Sequence, residues 1–282
     1  MRHRFDLRIG PVGFRIGSDW RAPVAELERL YADYPKPAGG VADYTVRLFA
    51  RRSWRRWLRP SVEVGGDFWL ADAAPLPLAQ GLLAAEMAMN LQLALGHRRH
   101  LLLHAACVEK DGRALVMTGQ SGSGKSTLSA LLMARGWRLM GDELALLDLD
   151  SGAIHAFPRL ISLKNASIDA VSGDRWGPRL EGTPKGTIRH LVPDARAIAP
   201  MDAPAMPALI LFPSFGFAAE QRALPPSEVF VRLTQASTNY TALGERGFAA
   251  LTRLVRDTPA LAIDYPDTDT ALAMVDAAWR TL

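Results

Sequence analysis

Residues 101–148 decide the fold, and they read LLLHAACVEKDGRALVMTGQSGSGKSTLSALLMARGWRLMGDELALLD. Within them, the pattern G-x-x-x-x-G-K-[ST] begins at Gly119 and closes with Lys125 and Ser126. The apolar run RALVMT before the pattern predicts a strand, and STLSALLMAR after it predicts a helix that ends before Gly136. A strand, a glycine-rich loop and a helix in this order form the setting that a phosphate-binding loop requires.

The residue types in this loop suit a bound polyphosphate. Glycines permit positive φ and let several backbone N–H groups converge on one anion, and the following helix points the positive end of its dipole at that anion. Lys125 adds a mobile positive charge, and the Ser126 hydroxyl is a hard oxygen ligand for Mg²⁺. We expect the nucleotide to be held by nine consecutive residues: Gly119, Gln120, Ser121, Gly122, Ser123, Gly124, Lys125, Ser126 and Thr127.

A magnesium site also needs a carboxylate near the loop, and the sequence offers two candidates. Asp142 and Glu143 are adjacent acids inside an apolar stretch, where they are costly unless something pairs with them. Asp148 ends the run LALLD but leads into Asp-Ser-Gly, which is typical of a solvated turn. We favour the Asp142–Glu143 pair, for which a hairpin tip or a salt-bridged strand edge is the structural alternative.

His104 lies in the apolar run LLLHAAC, ahead of a hairpin predicted at Asp111-Gly112. From its setting alone, a lone histidine in such a run is more often a satisfied core residue than a functional one. The cluster RRSWRRWLR at 51–59 has two interpretations as well. It is either a surface for an acidic partner anchored by Trp54 and Trp57, or a strand or loop whose tryptophans are buried.

The rest of the chain predicts a mixed architecture. Residues 1–75 alternate in polarity as strands do and include one helical stretch at 23–34, and a buried helix begins near Leu78. We therefore predict two parts, a β-rich N-terminal region (1–75) and a nucleotide-binding domain (76–282). The apolar run 101–110 is expected to be one strand of the hairpin at Asp111-Gly112, and residues 137–150 are expected to be another strand. Downstream, we expect a strand at 208–216, a strand or strand–helix junction from 225, and helices at 244–258 and 268–282.

Composition excludes several classes of protein. The chain has 282 residues, of which 49% are hydrophobic and 22% charged, an ordinary globular profile. Cys107 is the single cysteine, so no intramolecular disulfide forms. The N-terminus lacks the apolar core of a secretory signal, and the most apolar stretch, 82–95, is too short to cross a bilayer. We expect a cytoplasmic protein without a membrane partner.

The segment 101–148 resembles the catalytic core of the HPr serine kinase/phosphorylase family, in particular the HPr-kinase-related kinase A group. The order is the same: a histidine strand, a hairpin, the glycine loop, a short helix ending in Arg-Gly, and paired acids. TPKGTIRHL (183–191) and the stretch from Asn239 through GERGFAAL are similar to that group too. The resemblance implies an α/β P-loop domain of the HPr kinase and phosphoenolpyruvate carboxykinase type, with a mixed sheet.

The resemblance also implies roles for individual residues. Asp142 falls on the family's general-base position, Glu143 on its second acid, and His104 on a histidine that lies against the transferred phosphoryl group. Lys185 and Arg189 fall near the family's second signature and are expected to contact the phosphates. Ser126 and Glu143 are expected to hold Mg²⁺.

The resulting hypothesis is an ATP- and Mg²⁺-dependent kinase that transfers the γ-phosphoryl group to a serine of a small protein or peptide. The acceptor is a small HPr-like or carrier protein, self-association follows by resemblance, and a nucleic-acid partner is not expected. Two alternatives stay open. One is an ATP-binding regulatory module that phosphorylates nothing, and the other is a small-molecule kinase.

Overall fold

The computed structural model describes residues 1–70 and 73–282, so Ala71 and Asp72 of the predicted N-terminal region lie outside the described residues. The chain forms two compact units, Met1–His97 with Asp174–Val192, and Arg98–Gly173 with Pro193–Leu282. Its class is mixed α/β with several sheets, as the sequence predicts. In chain order the elements are β1 (His3–Ile9), β2 (Val12–Ser18), α1 (Arg21–Leu30), β3 (Tyr44–Phe49), β4 (Ser61–Gly66), β5 (Leu76–Pro77), α2 (Gly81–Gly96), β6 (His100–Leu103), β7 (Ala105–Lys110), β8 (Arg113–Thr118), α3 (Lys125–Ala134), β9 (Arg138–Gly141), β10 (Ala145–Asp148), β11 (Ile154–His155), β12 (Ile161–Lys164), β13 (Leu180–Thr183), β14 (Gly186–Leu191), α4 (Ala195–Ile198), β15 (Met206–Phe215), β16 (Glu220–Ala223), α5 (Pro226–Ala236), α6 (Tyr240–Asp257), β17 (Ala260–Tyr265) and α7 (Thr268–Arg280).

The first unit is built on a five-stranded sheet with the strand order β1-β2-β3-β4-β5. Alternation in β1 and β2 buries residues such as Leu7, Ile9 and Phe14, which form the core. Helix α2 packs on β3, β4 and α1, and its buried Glu86 accepts a 2.7 Å hydrogen bond from the Tyr31 hydroxyl. Packing therefore joins α2 to the N-terminal sheet. The predicted division into a β-rich region at 1–75 and a nucleotide-binding domain at 76–282 stays a prediction.

The second unit is built on a mixed six-stranded sheet with the order β16-β17-β15-β8-β7-β9. Strands β8, β15 and β17 run parallel, while β16, β7 and β9 pair antiparallel with their neighbours. The carboxyl ends of the three parallel strands meet at one edge, where ligands bind in open α/β sheets. The predicted hairpin joins β7 to β8, and Asp111 and Gly112 adopt its positive φ values of 54° and 77°.

Two apolar runs predicted as single strands each break and change sheets. The first divides into β6 and β7 at His104, and the second into β9 and β10 at residues 142–144. Strand β6 pairs with β10 in a three-stranded sheet, whereas β7 pairs with β9 in the six-stranded sheet. Because Leu103 is paired with Ala145 and Cys107 with Gly141, the two breaks lie opposite each other. This crossing places the predicted acids beside the predicted histidine.

The strand or strand–helix junction predicted from residue 225 is wrong, because this segment is helix α5. Val229 and Leu233, four residues apart, are buried on one face, and Pro226 opens the helix at a position where proline is tolerated. The helices predicted over 126–135, 244–258 and 268–282 are confirmed as α3, α6 and α7. Across residues 1–70 and 73–282, none of the helices has the length and apolar character needed to cross a bilayer.

Candidate functional site

The glycine loop, residues 119–124, connects β8 to α3 at the edge where the parallel strands end. Gly119, Gly122 and Gly124 all have positive φ. Gly124 shows why the residue type matters, because a Cβ there would lie 2.1 Å from the Tyr265 hydroxyl. That hydroxyl donates a 2.9 Å hydrogen bond to the Ser123 carbonyl and so ties the loop to the end of β17. The loop is held open to an anion on one side and fixed on the other.

Lys125 begins α3 and folds back over the loop. Its Nζ donates to the Gly119 carbonyl at 2.7 Å and to the Gln120 carbonyl at 2.9 Å, and the residue is 8% exposed. Burial lowers the pKa of Lys125, while the nearby charges of Asp142 and Glu143 act in the opposite direction. The ammonium group therefore sits in a partly dehydrated position facing two carboxylates, where its charge acts strongly on a bound anion.

Asp142 is the most deeply buried acid at this edge, at 3% exposed. One carboxyl oxygen, Oδ2, accepts a 3.0 Å hydrogen bond from the Ser162 backbone N–H, and the nearby Ser126 hydroxyl acts to lower the pKa of the carboxyl group. The other oxygen, Oδ1, is buried without a hydrogen-bond partner among the residues described. Burial and the charge of Glu143 raise the pKa of Asp142 to about 7. A buried oxygen without a partner is costly, so this one is available to a cation or a proton donor.

Glu143 faces His104 across the crossing point between the two sheets. Its Oε2 lies 3.6 Å from His104 Nδ1, and both side chains are partly accessible to solvent. His104 is an exposed residue where the apolar run breaks, not part of the core. Its backbone N–H donates a 2.7 Å hydrogen bond to the Ala236 carbonyl, and its own carbonyl accepts from the Thr118 hydroxyl just before the loop.

These residues give the site the groups that phosphoryl transfer needs. The backbone N–H groups of a loop and an ammonium group can bind phosphate, and a hydroxyl with two carboxylates can hold a hard divalent cation. The predicted loop and acids therefore meet. Asp148, the other carboxylate considered from the sequence, lies at the opposite end of β10 and turns away from this group.

A pocket of about 1040 Å³ opens beside the loop and is lined by His104, the loop and the ends of β15 and β17. Its far wall contains Arg222 and Arg232, both bound to Glu228, and the Arg232 guanidinium lies 5.0 Å from the centre of the Phe212 ring. The sequence reasoning missed this wall and Tyr265. The sequence shows the apolar strands that end at the same edge. That these strands are neighbours, and so place these residues beside the loop, follows only from the strand order.

Lys185 and Arg189 belong to the first unit, unlike the other predicted site residues. Lys185 lies in the turn between β13 and β14, where its backbone N–H donates to the Thr183 hydroxyl. Arg189, on β14, donates to the Gly177 carbonyl at 3.1 Å and lies over the Trp176 ring. Their contacts within the first unit are thus structural, and their predicted contact with phosphate stays a prediction.

The arginine- and tryptophan-rich cluster, residues 51–59, is also in the first unit and is largely on the surface. Trp57 is 73% exposed and Trp54 43% exposed, so the interpretation with buried tryptophans is wrong. Arg55 and Arg56 lie over these two rings, at 4.6 Å and 5.3 Å from the ring centres. The cluster is an exposed cationic and aromatic surface.

No family model and no curated protein matches the chain. Among solved structures it is similar to the Hpr(Ser) kinase/phosphatase from Coxiella burnetii, with 13% sequence identity and a TM-score of 0.29. The matched region covers 64% of this chain and 94% of that chain. A TM-score this low carries no weight for the activity of the present chain, whose function has to be inferred from its own residues.

Proposed function

We propose that the protein is an ATP- and Mg²⁺-dependent kinase that transfers the γ-phosphoryl group to a serine hydroxyl of a peptide or small protein. The observation that carries this proposal is the position of Asp142. Its buried carboxyl group, one oxygen of which has no hydrogen-bond partner among the described residues, lies near Ser126 and Lys125 at the end of the glycine loop. We also infer that the second unit is a nucleotide-binding domain of the HPr kinase and phosphoenolpyruvate carboxykinase type, because the loop follows an interior strand of a mixed sheet.

Binding of the nucleotide uses the loop and the start of α3. Backbone N–H groups of residues 119–127 bind the β- and γ-phosphates, and the positive φ of Gly122 and Gly124 gives the loop the tight path that such binding requires. Lys125 exchanges its carbonyl partners for phosphate oxygens, which bind an ammonium more strongly because they are charged.

The metal site uses hard oxygen donors, which fit Mg²⁺. Ser126 and Glu143 would hold the ion, and when bound it neutralises charge on the phosphate oxygens. Both donors lie close enough to the Asp142 carboxyl group to act on its pKa, and one oxygen of that group has no partner among the described residues. This donor set contains no thiolate and only one imidazole, that of His104, in contact with Glu143.

Transfer requires a base and groups that stabilise the moving charge. Asp142 accepts the proton of the acceptor hydroxyl through its available oxygen, and a pKa of about 7 matches a general base at neutral pH. His104, held beside Glu143, donates to the transferred group or to the leaving oxygen. The pocket, at about 1040 Å³, has room for a nucleotide and for part of a second substrate.

The protein partner follows from the same site. A serine presented on a flexible segment would enter the open pocket beside His104, and Asp142, which is buried and does not line that pocket, would have to be uncovered before the acceptor hydroxyl reaches it. The exposed surface at 51–59 would bind an acidic acceptor. Self-association remains part of this proposal, as does a contribution of Lys185 and Arg189. Alanine variants of the last two should lower the transfer rate if they contact phosphate.

The experiment measures nucleotide binding and transfer separately. Mg²⁺ with a non-hydrolysable ATP analogue is titrated by calorimetry, and radiolabelled ATP is incubated with a library of serine-containing peptides. We expect Lys125→Ala to weaken binding and to reduce transfer by at least about 100-fold. Lys36→Ala is the control, because Lys36 is an exposed lysine of the first unit.

Each outcome distinguishes the hypotheses. A wild-type protein that does not bind the analogue would refute the nucleotide site. Binding without transfer to any peptide or co-purified protein would favour the regulatory module, and transfer to a small metabolite alone would favour the small-molecule kinase.

A further inference from the structure

A second group of metal-binding side chains lies on the three-stranded sheet of the second unit, at some distance from the glycine loop. His100 is on β6, Asp148 on β10 and His155 on β11, in a sheet ordered β11-β10-β6. His100 is paired directly with Asp148, and His155 is paired with Leu146, two residues before Asp148. Residues two apart on a strand point to the same face, so all three side chains project from one face of this sheet.

The three side chains converge as well as sharing a face. One ligand atom from each lies within 4.8 Å of the other two. His155 Nε2 is 3.8 Å from Asp148 Oδ2, and the two imidazole rings have their centres 4.8 Å apart. Zinc binds imidazole and carboxylate at about 2.0–2.2 Å, so its ligands lie roughly 3.3 Å from one another. Small side-chain rotations would bring the three atoms to that spacing.

The carboxylate of Asp148 is held in place by the turn that follows it. Its Oδ1 accepts hydrogen bonds from Ser151, through the backbone N–H at 2.7 Å and the hydroxyl at 2.8 Å, and from the Asp150 N–H. This leaves Oδ2 on the side of His155. Hydrogen bonds to one oxygen of a carboxylate that fix its orientation are typical of the outer shell of metal sites.

The surroundings combine a rigid base with access from solvent. His100 is buried over the apolar core, while the side chains of Asp148 and His155 are 28% and 29% exposed. The nearby Arg246 and Arg253 are bound to Asp150.

We propose that His100, Asp148 and His155 bind one borderline divalent cation of the zinc class, which fastens β11 and β10 to β6. Two imidazoles and one carboxylate suit Zn²⁺, and hard cations such as Mg²⁺ prefer sites made of oxygens. Three protein ligands leave a position for water. This site is separate from the proposed kinase site and does not depend on it.

The test uses the full chain, stripped of metal with a chelator and dialysed. Co²⁺ is added as a spectroscopic probe, Zn²⁺ is titrated in competition, and bound zinc is measured by mass spectrometry. We expect about one Zn²⁺ per chain and the d–d absorption of Co²⁺ with nitrogen and oxygen ligands. Loss of an outer-shell partner weakens metal binding about 10–100-fold. Asp148→Asn and His155→Ala each change a direct ligand, so each should raise the Kd for Zn²⁺ by more than that.

Controls separate this site from other histidines and from loss of structure. His3→Ala, on β1 of the first unit, should bind Zn²⁺ with unchanged affinity. His104→Ala should do the same, because His104 lies at the other end of β6. Circular dichroism shows whether each variant is folded. If His155→Ala unfolds, His155→Gln takes its place in the test.

The proposal fails if the wild-type chain binds neither Co²⁺ nor Zn²⁺ at micromolar concentrations. It also fails if Asp148→Asn and the folded His155 variants bind as tightly as the wild type, or if His104→Ala removes the ion. Thermal unfolding gives a further measurement, because Zn²⁺ should raise the Tm of the wild type and not that of Asp148→Asn.

Discussion

Strands β6 and β10 bring a histidine and a carboxylate together at each of their two ends, about 13 Å apart by the rise of four residues. At one end, His104 and Glu143 lie where the chain changes sheets, beside the glycine loop, and both are accessible. At the other end, His100 is buried, and a tight turn fixes Asp148.

The difference shows that a histidine–carboxylate pair has no function independent of its neighbours. An accessible pair beside converging amides and Lys125 suits a group that enters, reacts and leaves. A pair whose histidine is buried and whose carboxylate is already oriented by a turn suits an ion that stays. If the two ends are independent, a change at one end should leave the other end unaffected.

Asp142→Asn should abolish most of the transfer activity, since amide nitrogen cannot accept the proton of the acceptor hydroxyl. General-base catalysis contributes about 10²–10⁴-fold, and we expect a loss of that size in the transfer rate with little change in nucleotide affinity. The measurement is single-turnover transfer from radiolabelled ATP. Asp257→Asn, at an exposed position of α6, is the matched control.

Zn²⁺ binding by Asp142→Asn should equal that of the wild type if the two ends are independent. Transfer at the wild-type rate would eliminate Asp142 as the base. Transfer lost together with zinc affinity would indicate one coupled site instead of two.

The sequence predicts the end that lies by the loop much better than the other. Its motif fixes Gly119 through Ser126 by spacing, and adjacent acids in an apolar run demand a partner, so Asp142 and Glu143 stand out. Pairing of His100 with Asp148 depends on strand register, and His155 joins them only because β11 is the next strand. The sequence predicts a solvated turn at Asp148, and its Oδ1 is hydrogen-bonded within that turn. The turn does not account for Oδ2, which faces His155.

The same limit explains the fold predictions. Apolar runs predict that a chain extends, but not where it leaves one sheet for another, so 101–110 and 137–150 each predict one strand. Helix α5 was missed because Phe230 and the β-branched Val229 and Val231 favour strands locally. The burial of Val229 and Leu233 on one face decides the outcome.

Burial shifts the pKa values of Asp142 and His100, one at each end, in opposite directions. It is the main cause that raises the pKa of Asp142 to about 7 and lowers that of His100 to about 4. A protonated Asp142 cannot act as a base, so transfer should fall by up to about tenfold per pH unit below pH 7. We would measure kcat/KM from pH 5.5 to 8.5, and a flat profile between pH 6 and 8 would contradict this assignment.

The lowered pKa of His100 makes the stability of the fold depend on pH. Between about pH 4 and pH 6.5 the unfolded chain binds a proton at this ring that the folded chain does not. The free energy of unfolding should therefore decrease as the pH falls through this window. Denaturation of wild type and His100→Gln at pH 7 and pH 5 measures the effect, which should be smaller in the variant.

Asn239→Ala should weaken both ends, because Asn239 holds the strand between them. Its Oδ1 accepts from the Leu102 N–H at 2.9 Å, and its Nδ2 donates to the His100 carbonyl at 3.0 Å. Loss of these buried bonds should lower the free energy of unfolding by about 1–3 kcal/mol. Urea denaturation measures it, with the exposed Thr241→Ala as the control. A variant as stable as that control would show that β6 needs no such anchor.

Tyr265→Phe should affect only the loop end, and by the least. It removes the 2.9 Å hydrogen bond to the Ser123 carbonyl, worth about 0.5–1.5 kcal/mol, while the ring stays to cover Gly124. Because the loop must be ordered to bind phosphate, we expect up to about tenfold weaker binding of the ATP analogue and unchanged binding of Zn²⁺. Tyr44→Phe is the matched control, since its hydroxyl is also hydrogen-bonded, to His97 of the first unit. If calorimetry gave both variants the same affinity for the analogue, the glycines alone would fix the loop. If Tyr265→Phe also bound Zn²⁺ more weakly, the two ends of the β6–β10 ladder would be coupled.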